Sequence, residues 1–454
     1  MSLRNKILVV LAAFIPFATA VQAQDSTMLT LKDAVNYALK NYADAKKAKL
    51  DLENAQYQID EVRSRTMPQI NGTGALNYNP LLQMSALPGE LNPVDPGQPL
   101  LVAFGQKWNA NVGVSLTQNL FDQSVFTGLK AARTTKEFYQ LNNQLTEEKV
   151  IEQVATSYNQ VYVQRQQLAN IDSNIRTTKQ VYDVIRGQYE NGLGKKIDVD
   201  RMQVKLSNLS NQRVQLQNVL SLYENQLKFF IGMPINEAIR IPDWQPEDLQ
   251  VFALDNPDSL NLESRTELKV LDRQQTLLEY KKQSVKAEYY PTLSLSGNYS
   301  YQGLSNSFPV FKGASQGANW FDVSTVGLNL KIPIFNGRAT RARLRQADVE
   351  IRKVEEDITQ AKQSLNLEYE NARTQIKNAI LILNSQQKNI ELAQQVFDNT
   401  QNNYHQGLAP LTDLLDAQTV LFDAQNAYNI SLLDYRTAEI KLLKARGELR
   451  TLLN

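Results

Sequence analysis

Cysteine is missing from the 454-residue sequence, and histidine occurs once, at His405. Without thiols the chain can form no disulfide framework, thiolate metal site or cysteine nucleophile, and one histidine cannot build a multi-histidine metal centre. The 48 lysines and arginines almost balance the 47 acidic residues, so the chain has neither the basic surplus of a nucleic-acid-binding protein nor an acidic tail. The composition therefore predicts no cofactor, no metal and no nucleic-acid partner.

Long apolar runs are also missing beyond the N-terminus, where a membrane-spanning helix would need about 20 residues. Residues 1–23 place Arg4 and Lys6 before an apolar stretch and small residues at Val21 and Ala23, which is the pattern of a cleaved signal peptide. The alternative, a buried or anchoring helix, is disfavoured because the stretch is short for a bilayer. We therefore expect an exported chain that enters a membrane by β-strands or not at all.

Two segments of the sequence repeat. The run GVSLTQNLFD at Gly113 is similar to GLNLKIPIFN at Gly327, 214 positions later, and the motif Y-x-x-G-L at Tyr189 recurs at Tyr404, 215 positions later. The length alone would suggest two or three compact domains. A nearly constant offset instead indicates two copies of one structural unit.

The two copies are predicted over residues 24–232 and 258–454, with a proline-rich linker over 233–257. In each copy a helix ends before a proline, a hairpin of alternating apolar and small polar residues follows, and a long helix without proline leads to a glycine turn and a return helix. The predicted ranges are 31–66, 69–120, 123–188 and 198–230 in the first copy, and 259–289, 292–334, 337–403 and 413–446 in the second. Loops rich in proline, glycine and serine are predicted inside the hairpins, over 79–107 and 302–319.

Four strands per chain are too few to close a β-barrel, because the smallest bacterial outer-membrane barrels have about eight. An open sheet edge in lipid leaves backbone groups unpaired, so the chain must associate, and three copies would supply twelve strands around a water-filled lumen. The predicted fold class is an α+β membrane protein whose sheet continues into a coiled-coil barrel. The alternative is a soluble periplasmic coiled coil whose hairpins cap a sheet. Trp108 and Trp320 fit an interfacial aromatic girdle, or else pack inside loops.

The motifs occur in a fixed order. A signal peptide precedes duplicated halves, strands end in LFD or IFN-G-R before a long helix, and Y-x-x-G-L is followed by acidic residues. In this order and duplication the chain resembles the TolC family of outer-membrane efflux proteins. The resemblance implies a trimeric twelve-stranded outer-membrane β-barrel continuous with a periplasmic α-helical barrel. It also implies the exit duct of a tripartite efflux pump or type I secretion system, with a periplasmic adaptor (membrane fusion) protein, an inner-membrane transporter and outer-membrane lipid as partners.

Each long helix must turn back at a glycine motif. Gly192, Gly194 and Gly407 allow positive φ in these turns, and Asp198 or Asp413 can cap the helix that follows. Because the turns lie farthest from the strands, we expect them at the periplasmic mouth.

An acidic ring is the predicted selective element of that mouth. Asp413 and Asp416 are three residues apart and share a helix face, so a trimer would place six carboxylates around a narrow opening. Such a ring attracts cations and repels anions. By resemblance the two positions match the acidic constriction of the family prototype. Arg201 stands at the first-copy position equivalent to Asp416, which assigns the ring to the second copy.

A link between the two helical hairpins is implied by the same resemblance, with Asp198 and Tyr404 as partners in closing the tip. The arginine expected two residues after the second glycine is Ala409 here. Lys195 and Lys196 are the candidates to replace it.

The leading hypothesis is a passive export duct opened by its partners, and the alternative is a periplasmic structural or adaptor protein without a pore. An enzyme is disfavoured because the sequence has no nucleophile elbow, Walker loop, HExxH motif or Rossmann fingerprint. His405 is interpreted as a solvated turn residue, or as a group whose protonation tunes a gate.

Overall fold

The computed structural model describes residues 28–242 and 261–453. The predicted signal peptide and most of the predicted linker lie outside the described residues. Across the two described ranges, every helix is too short or too polar to cross a membrane.

The helices and strands follow the same order in both repeats, apart from one additional short helix and one additional pair of short strands in the first. The first repeat contains α1 (Leu31–Asn41), α2 (Ala43–Ser64), β1 (Gln69–Tyr78), β2 (Met84–Leu87), β3 (Leu100–Ala103), β4 (Trp108–Phe121), α3 (Gln123–Glu190) and α4 (Lys196–Ile231). The second repeat contains α5 (Thr266–Ala287), β5 (Thr292–Ser305), β6 (Ala318–Lys331), α6 (Ala339–His405) and α7 (Leu411–Arg446).

The longest elements are α3 and α6, with 68 and 67 residues. At about 1.5 Å per residue, each spans about 100 Å. Buried residues in α6 recur every three or four positions, as at Ala372, Ile376, Ala379 and Leu383, so they form a stripe and not a closed core. Each long helix therefore needs neighbours along its length: α3 packs on α2 and α4, and α6 packs on α5 and α7. Contacts of α3 with α5 and α7 join the two repeats.

The single helix predicted over 31–66 is wrong at Tyr42. This residue is extended, with φ −64° and ψ 139°, and it separates α1 from α2. Its ring is buried against Phe229 and Phe230, with centroids 6.0 and 6.2 Å away. A continuous helix would not bring the ring there, so a tertiary contact outweighs the local helical pattern.

Other boundaries also differ from the pattern. The loop predicted over 79–107 contains β2 and β3, which pair as a two-stranded antiparallel sheet. In the second repeat the first helix begins at Thr266, after a 3₁₀ turn over Leu262–Ser264. Both return helices begin two residues earlier than predicted, at Lys196 and Leu411.

The four long strands form one antiparallel sheet in the order β1-β4-β5-β6. The two hairpins meet where β4 pairs with β5, for example at Val114 opposite Tyr299. Strands β1 and β6 are the edges of this sheet. The sheet is therefore open on both sides in one chain.

The register separates an apolar face from a polar one. Ile70 lies opposite Leu116, which in turn lies opposite Gly297, whereas Asn71 and Ser115 pair on the other face. This alternation follows from the two-residue period of a strand.

Trp108 and Trp320 lie within strands, and both also pack on the loop between β5 and β6: the Trp108 ring is 5.2 Å from that of Phe308, and the Trp320 indole donates to the Lys312 carbonyl at 3.0 Å. They are at the loop end of the sheet. Trp108 is 4.7 Å from the Tyr78 ring, and Trp320 stacks 5.0 Å from Tyr301. Paired aromatic rings at one level of an apolar sheet face have the arrangement of an interfacial girdle.

The largest apolar cluster, which we name the waist core, lies where α1 and the ends of α4 and α7 surround α3. Its fully buried members are drawn from all four helices, and they include Ala34, Val35, Ala38, Val154, Ala155, Val161, Leu227 and Ile231, with Ile440 and Leu443 from α7. Because α7 belongs to the second repeat, the waist core ties the two repeats together.

A charged group lies at the same level, and we name it the waist charge cluster: Arg265, Glu267, Glu368, Lys444 and Glu152. Arg265 is only 2% exposed; it donates to the Ala445 carbonyl at 2.6 Å and to the Glu267 carboxylate at 2.7 Å. The Lys444 ammonium is 3.1 Å from Glu152 and 3.5 Å from Glu368. A buried guanidinium is tolerated here because it is hydrogen-bonded and paired.

Candidate functional site

The turns that end α3 and α6 use glycine for two different reasons. Gly192 and Gly407 both have φ 74°, as predicted, because a left-handed residue closes each helix. The prediction of positive φ is wrong for Gly194, which does not adopt it. A Cβ at Gly194 would lie 3.0 Å from the Tyr189 nitrogen, so a close approach of the backbone requires glycine there.

Neither predicted aspartate caps a helix. The N-cap residues of α4 and α7 are Lys195 and Pro410, and neither forms a side-chain cap bond. Asp198 and Asp413 lie one turn inside, where the partial positive charge of the helix N-terminus still stabilises a carboxylate. The capping alternative is therefore wrong.

Asp198 faces two groups. Its carboxylate is 3.5 Å from the Arg201 guanidinium. Burial and, second, the negative charge of Asp198 raise the pKa of the Tyr404 hydroxyl above its ordinary value of 10.0. Asp198 and Tyr404 come from different repeats; the charge of Asp198 acts on the Tyr404 hydroxyl, and no hydrogen bond joins the two side chains in the described part of the chain.

An apolar cluster holds the two hairpins together beneath the turns, and we name it the tip cluster. It contains residues of α3, α4, α6 and α7: Val181, Ile185, Met202, Ala393, Phe397, Leu411, Leu414, Ala417 and Leu421. Tyr404 packs against this cluster and is partly buried. The ends of the hairpins are thus joined by apolar contacts in addition to any polar link.

A buried polar network next to the tip cluster was not predicted. The Gln418 amide donates to the Asn174 carbonyl oxygen at 2.5 Å and to the Thr178 hydroxyl at 2.6 Å, and Thr178 is 0% exposed. The network crosses from α7 to α3. A signal existed in the sequence, because Gln418 interrupts the apolar series Leu414, Ala417 and Leu421 at a position on the same helix face.

The remaining predicted site residues lie on the surface of the tip. Asp413 and Asp416 are both exposed and share a face of α7. Lys195 and Lys196 are exposed, and neither ammonium forms an ion pair or hydrogen bond within the described ranges. His405 ends α6, exposed, with its ring 6.1 Å from that of Tyr404.

The family model described as outer membrane efflux protein matches residues 34–233 and 259–448, one match for each repeat. The chain belongs to the outer membrane efflux protein family. The resemblance noted in the sequence is confirmed, and so is the predicted role of an outer-membrane exit duct for efflux or secretion. This family consists of channel proteins and not of enzymes.

Curated relatives show the same relationship along most of the chain. The outer membrane protein TolC of Vibrio cholerae is 22% identical over 97% of this chain and 95% of its own. The TolC of Salmonella enteritidis is 21% identical over 95% of this chain and 84% of its own. The alkaline protease secretion protein AprF of Pseudomonas aeruginosa is 22% identical over 72% of this chain and 68% of its own.

Solved structures show the same fold. The transmembrane channel CusC aligns with a TM-score of 0.70 at 18% identity, covering 92% of this chain and 91% of that one. The open state of the MtrE outer membrane channel of Neisseria gonorrhoeae aligns with a TM-score of 0.68 at 19% identity, covering 92% and 89%. The sheet and the long helices therefore have the fold of outer-membrane channels.

Proposed function

We propose that three copies of this chain form a passive duct, in which twelve strands close a barrel in the outer membrane and the helices extend into the periplasm. One observation carries the proposal. The four-stranded sheet has two edge strands, β1 and β6. Strand β4 leads into α3 and strand β6 leads into α6, and each of these helices spans about 100 Å. Twelve strands are an even number that encloses a lumen.

Lipid and water are assigned to opposite faces of the sheet. Exposed apolar side chains such as Ile70 and Val112 stand on one face, and the other carries Asn, Ser and Thr. Trp108 and Trp320 would mark the level of one membrane interface. Outer-membrane lipid would cover the apolar face.

Energy and cargo would come from other proteins. AprF is named for the secretion of an alkaline protease, and the relatives named TolC and MtrE are outer membrane proteins or channels. By analogy, a periplasmic adaptor protein would contact the helical tip and connect it to an inner-membrane transporter.

We place the gate of the duct at the tip. Asp198 and Tyr404 would hold the two hairpins of one chain together, and Gly192, Gly194 and Gly407 would shape the turns. Lys195 and Lys196 remain the candidates to replace the missing arginine in the link between the hairpins, because both ammonium groups are exposed at the turn.

Selectivity tests the acidic ring. In planar bilayers with a KCl gradient, the wild-type duct should favour cations, and Asp413→Asn with Asp416→Asn should move the reversal potential toward zero. Asp423→Asn is the matched control, because Asp423 is exposed on the same face of α7 but lies seven residues farther from the turn than Asp416. Unchanged cation selectivity in the double variant would reject the ring.

The duct itself is tested by conductance. The purified chain should need detergent, migrate as a trimer and open discrete conductance steps in a bilayer. A detergent-independent monomer without conductance would instead support the periplasmic adaptor.

A further inference from the structure

In the half of the molecule nearest the sheet, four helices lie side by side in the order α2, α3, α5, α6. Contacts join each neighbouring pair, with Lys136 to Gln56 at 2.8 Å between α3 and α2, and Lys281 to Glu350 at 2.8 Å between α5 and α6. The sheet has the matching order β1-β4-β5-β6. The outer face of α2 and the outer face of α6 are therefore the two sides of this row.

The repeat shows which residues occupy those outer faces. Positions of α3 correspond to positions 215 later in α6, as the buried Ala132 does to the buried Ala347 near the sheet and Tyr189 does to Tyr404 at the tip. Helices α2 and α5, each of 22 residues, correspond at a separation of 223, from Ala43 to Thr266. The correspondence holds for a contact seen in the chain. Lys136 of α3 corresponds to residue 351, which is 215 positions later, and Gln56 of α2 corresponds to residue 279, which is 223 positions later. Residues 351 and 279 line one cleft between α5 and α6.

The contact between α3 and α5 joins the two repeats and has no second counterpart inside one chain. Glu137 of α3 is 3.5 Å from Arg273 of α5, and Glu148 accepts from the Thr266 hydroxyl at 2.7 Å. The residue that corresponds to Glu137 in the second repeat is Arg352 on α6, 215 positions later. The residue that corresponds to Arg273 in the first repeat is Leu50 on α2, 223 positions earlier. If the repeats continue around a ring, this pair lies between α6 of one copy and α2 of the next.

The face of α6 marked by Arg352 is strongly basic. Arg341 and Arg345 lie 11 and 7 positions before Arg352, spacings that return to the same side of a helix, and Arg338 directly precedes α6. All four arginines are exposed, and none of their guanidinium groups forms an ion pair or hydrogen bond with residues 28–242 or 261–453. Glu356, one turn further along, ends this basic face.

The face of α2 marked by Leu50 has the opposite order of charge. Glu61 and Glu53 stand toward the sheet, and Lys46 stands away from it. Leu50 and Tyr57, on the same face, are 62% and 61% exposed. Glu61 is 3.6 Å from Arg65, and Glu53 accepts from the Tyr57 hydroxyl at 3.0 Å. Both interactions stay within α2, so they leave the face open to a partner.

We propose that α6 of one copy packs on α2 of the next, with Glu61 between Arg341 and Arg345, Glu53 level with Arg352, and Lys46 level with Glu356. The proposal names the subunit contact of the proposed trimer and rests on that trimer. The two faces are antiparallel, and each charge on one face lies opposite a charge of the other sign. Such complementarity determines both which helices pair and in which register they pair. Leu50 and Tyr57 are buried in the same contact.

Cysteine cross-linking tests the register directly, because the native chain contains no cysteine. Glu61→Cys combined with Arg341→Cys or Arg345→Cys, in whole outer membranes, should give covalent dimers and trimers with a short bismaleimide. Each chain carries both sites on opposite sides, so the products close around the ring. Glu61→Cys with Arg343→Cys is the matched control: Arg343 lies between the two test positions but faces Glu288 of α5 in its own chain.

Two results would overturn the contact in distinguishable ways. A detergent-stable trimer that cross-links no better at 341 and 345 than at 343 would overturn the contact and leave the proposed duct intact. This result is expected if anionic lipid, and not α2 of the next copy, covers the arginines. A monomer in the membrane would overturn both proposals.

Charge reversal provides a second test that does not depend on cysteine variants. Glu61→Arg should lower the fraction of heat-resistant trimer by roughly two- to fivefold, the range expected for an exposed ion pair. Adding Arg341→Glu and Arg345→Glu should recover most of this fraction. Failure of the combined variant to recover more trimer than Glu61→Arg alone would count against the pairing.

Discussion

Gly232 and Gly447 end the two return helices at equivalent positions, and both are left-handed, with φ of 73° and 76°. Their surroundings differ. A Cβ on Gly232 would lie 2.7 Å from the carbonyl carbon of Asn41, whereas a Cβ on Gly447 would meet nothing closer than the Arg265 Cδ at 3.5 Å. Glycine is therefore needed at 447 for its left-handed backbone conformation. At 232 it is needed both for that conformation and for the close approach of the Asn41 backbone.

Alanine at these two positions separates the two effects. Gly447→Ala should cost about 1 kcal/mol from the left-handed conformation alone. Gly232→Ala should cost about 2–4 kcal/mol, because the clash with Asn41 adds an overpacking term. Thermal unfolding followed by circular dichroism measures both. Gly187→Ala, inside α3 with nothing near its Cβ, should not destabilise the protein. Equal losses at 232 and 447 would show that the clash is relieved.

Titration of Tyr404 tests its link to Asp198. Burial and the charge of Asp198 raise the pKa of the Tyr404 hydroxyl, so the folded tip favours the neutral phenol. Its contribution to stability is complete below about pH 10 and is lost as the pH rises through the raised pKa. The ultraviolet titration difference between wild type and Tyr404→Phe reports this group. Asp198→Asn should lower the pKa of Tyr404, and Asp200→Asn, an exposed neighbour, should not.

At the scale of helices, neighbouring helices pack through long apolar stripes that contain few polar contacts. Gln418 of α7 bonds Asn174 and Thr178 of α3; Gln418 and Thr178 are buried, and Asn174 is partly buried. A buried donor or acceptor that loses its partner carries the full cost of desolvation, whereas removing both partners is nearly neutral. The Gln418 network therefore sets how closely α7 holds α3 beneath the turns.

Substitutions of this network should be non-additive. Gln418→Leu should lower the free energy of unfolding by about 1–3 kcal/mol, because Thr178 and Asn174 lose a donor. Thr178→Val in the same chain should recover part of the loss. Thermal unfolding and protease sensitivity of the tip measure the effect. Thr177→Val, whose hydroxyl bonds the Ser173 carbonyl within α3, is the matched control. A double variant less stable than the sum of both single variants would contradict this account.

The long helices, the hairpins and the repeat were predictable because period, proline and glycine act locally. Gly192 and Gly407 were predictable for the same reason: a chain that reverses needs a left-handed residue. The break at Tyr42 was not, since it depends on Phe229 and Phe230, far away in the sequence. Only the capping role of Asp198 and Asp413 is predicted wrongly, because Lys195 and Pro410 occupy the cap positions once the turns are closed.

Across the whole molecule, the waist is where the repeats depend on each other. The waist charge cluster draws Glu267 from α5, Arg265 from the N-cap of α5, Lys444 from α7, Glu152 from α3 and Glu368 from α6. In the proposed duct the two ends of the molecule have separate tasks, lipid contact at the sheet and opening at the tip. The charged and apolar waist lies between these ends and would keep the repeats joined during opening.

Acid should loosen the waist. Burial opposes ionisation of Glu267, but hydrogen bonds from Arg265 and from its own backbone, with the charges of Arg265 and Lys444, outweigh burial and lower the pKa of Glu267 below its ordinary value of 4.5. The charges of Glu152 and Glu368 likewise outweigh burial and raise the pKa of Lys444. Stabilisation by Glu267 is thus complete above about pH 4.5 and is lost as the pH falls through its lowered pKa.

Glu267→Gln isolates this contribution. At neutral pH it should lower the free energy of unfolding by about 2 kcal/mol, because the buried Arg265 loses a charged acceptor. As the pH falls through the lowered pKa of Glu267, the variant and the wild type should converge, since protonation removes the same charge. Unfolding midpoints measured from pH 3 to pH 8 give both curves, and Glu263→Gln, an exposed neighbour, should follow the wild type throughout. Parallel curves for wild type and Glu267→Gln would show that ionisation of Glu267 does not stabilise the waist.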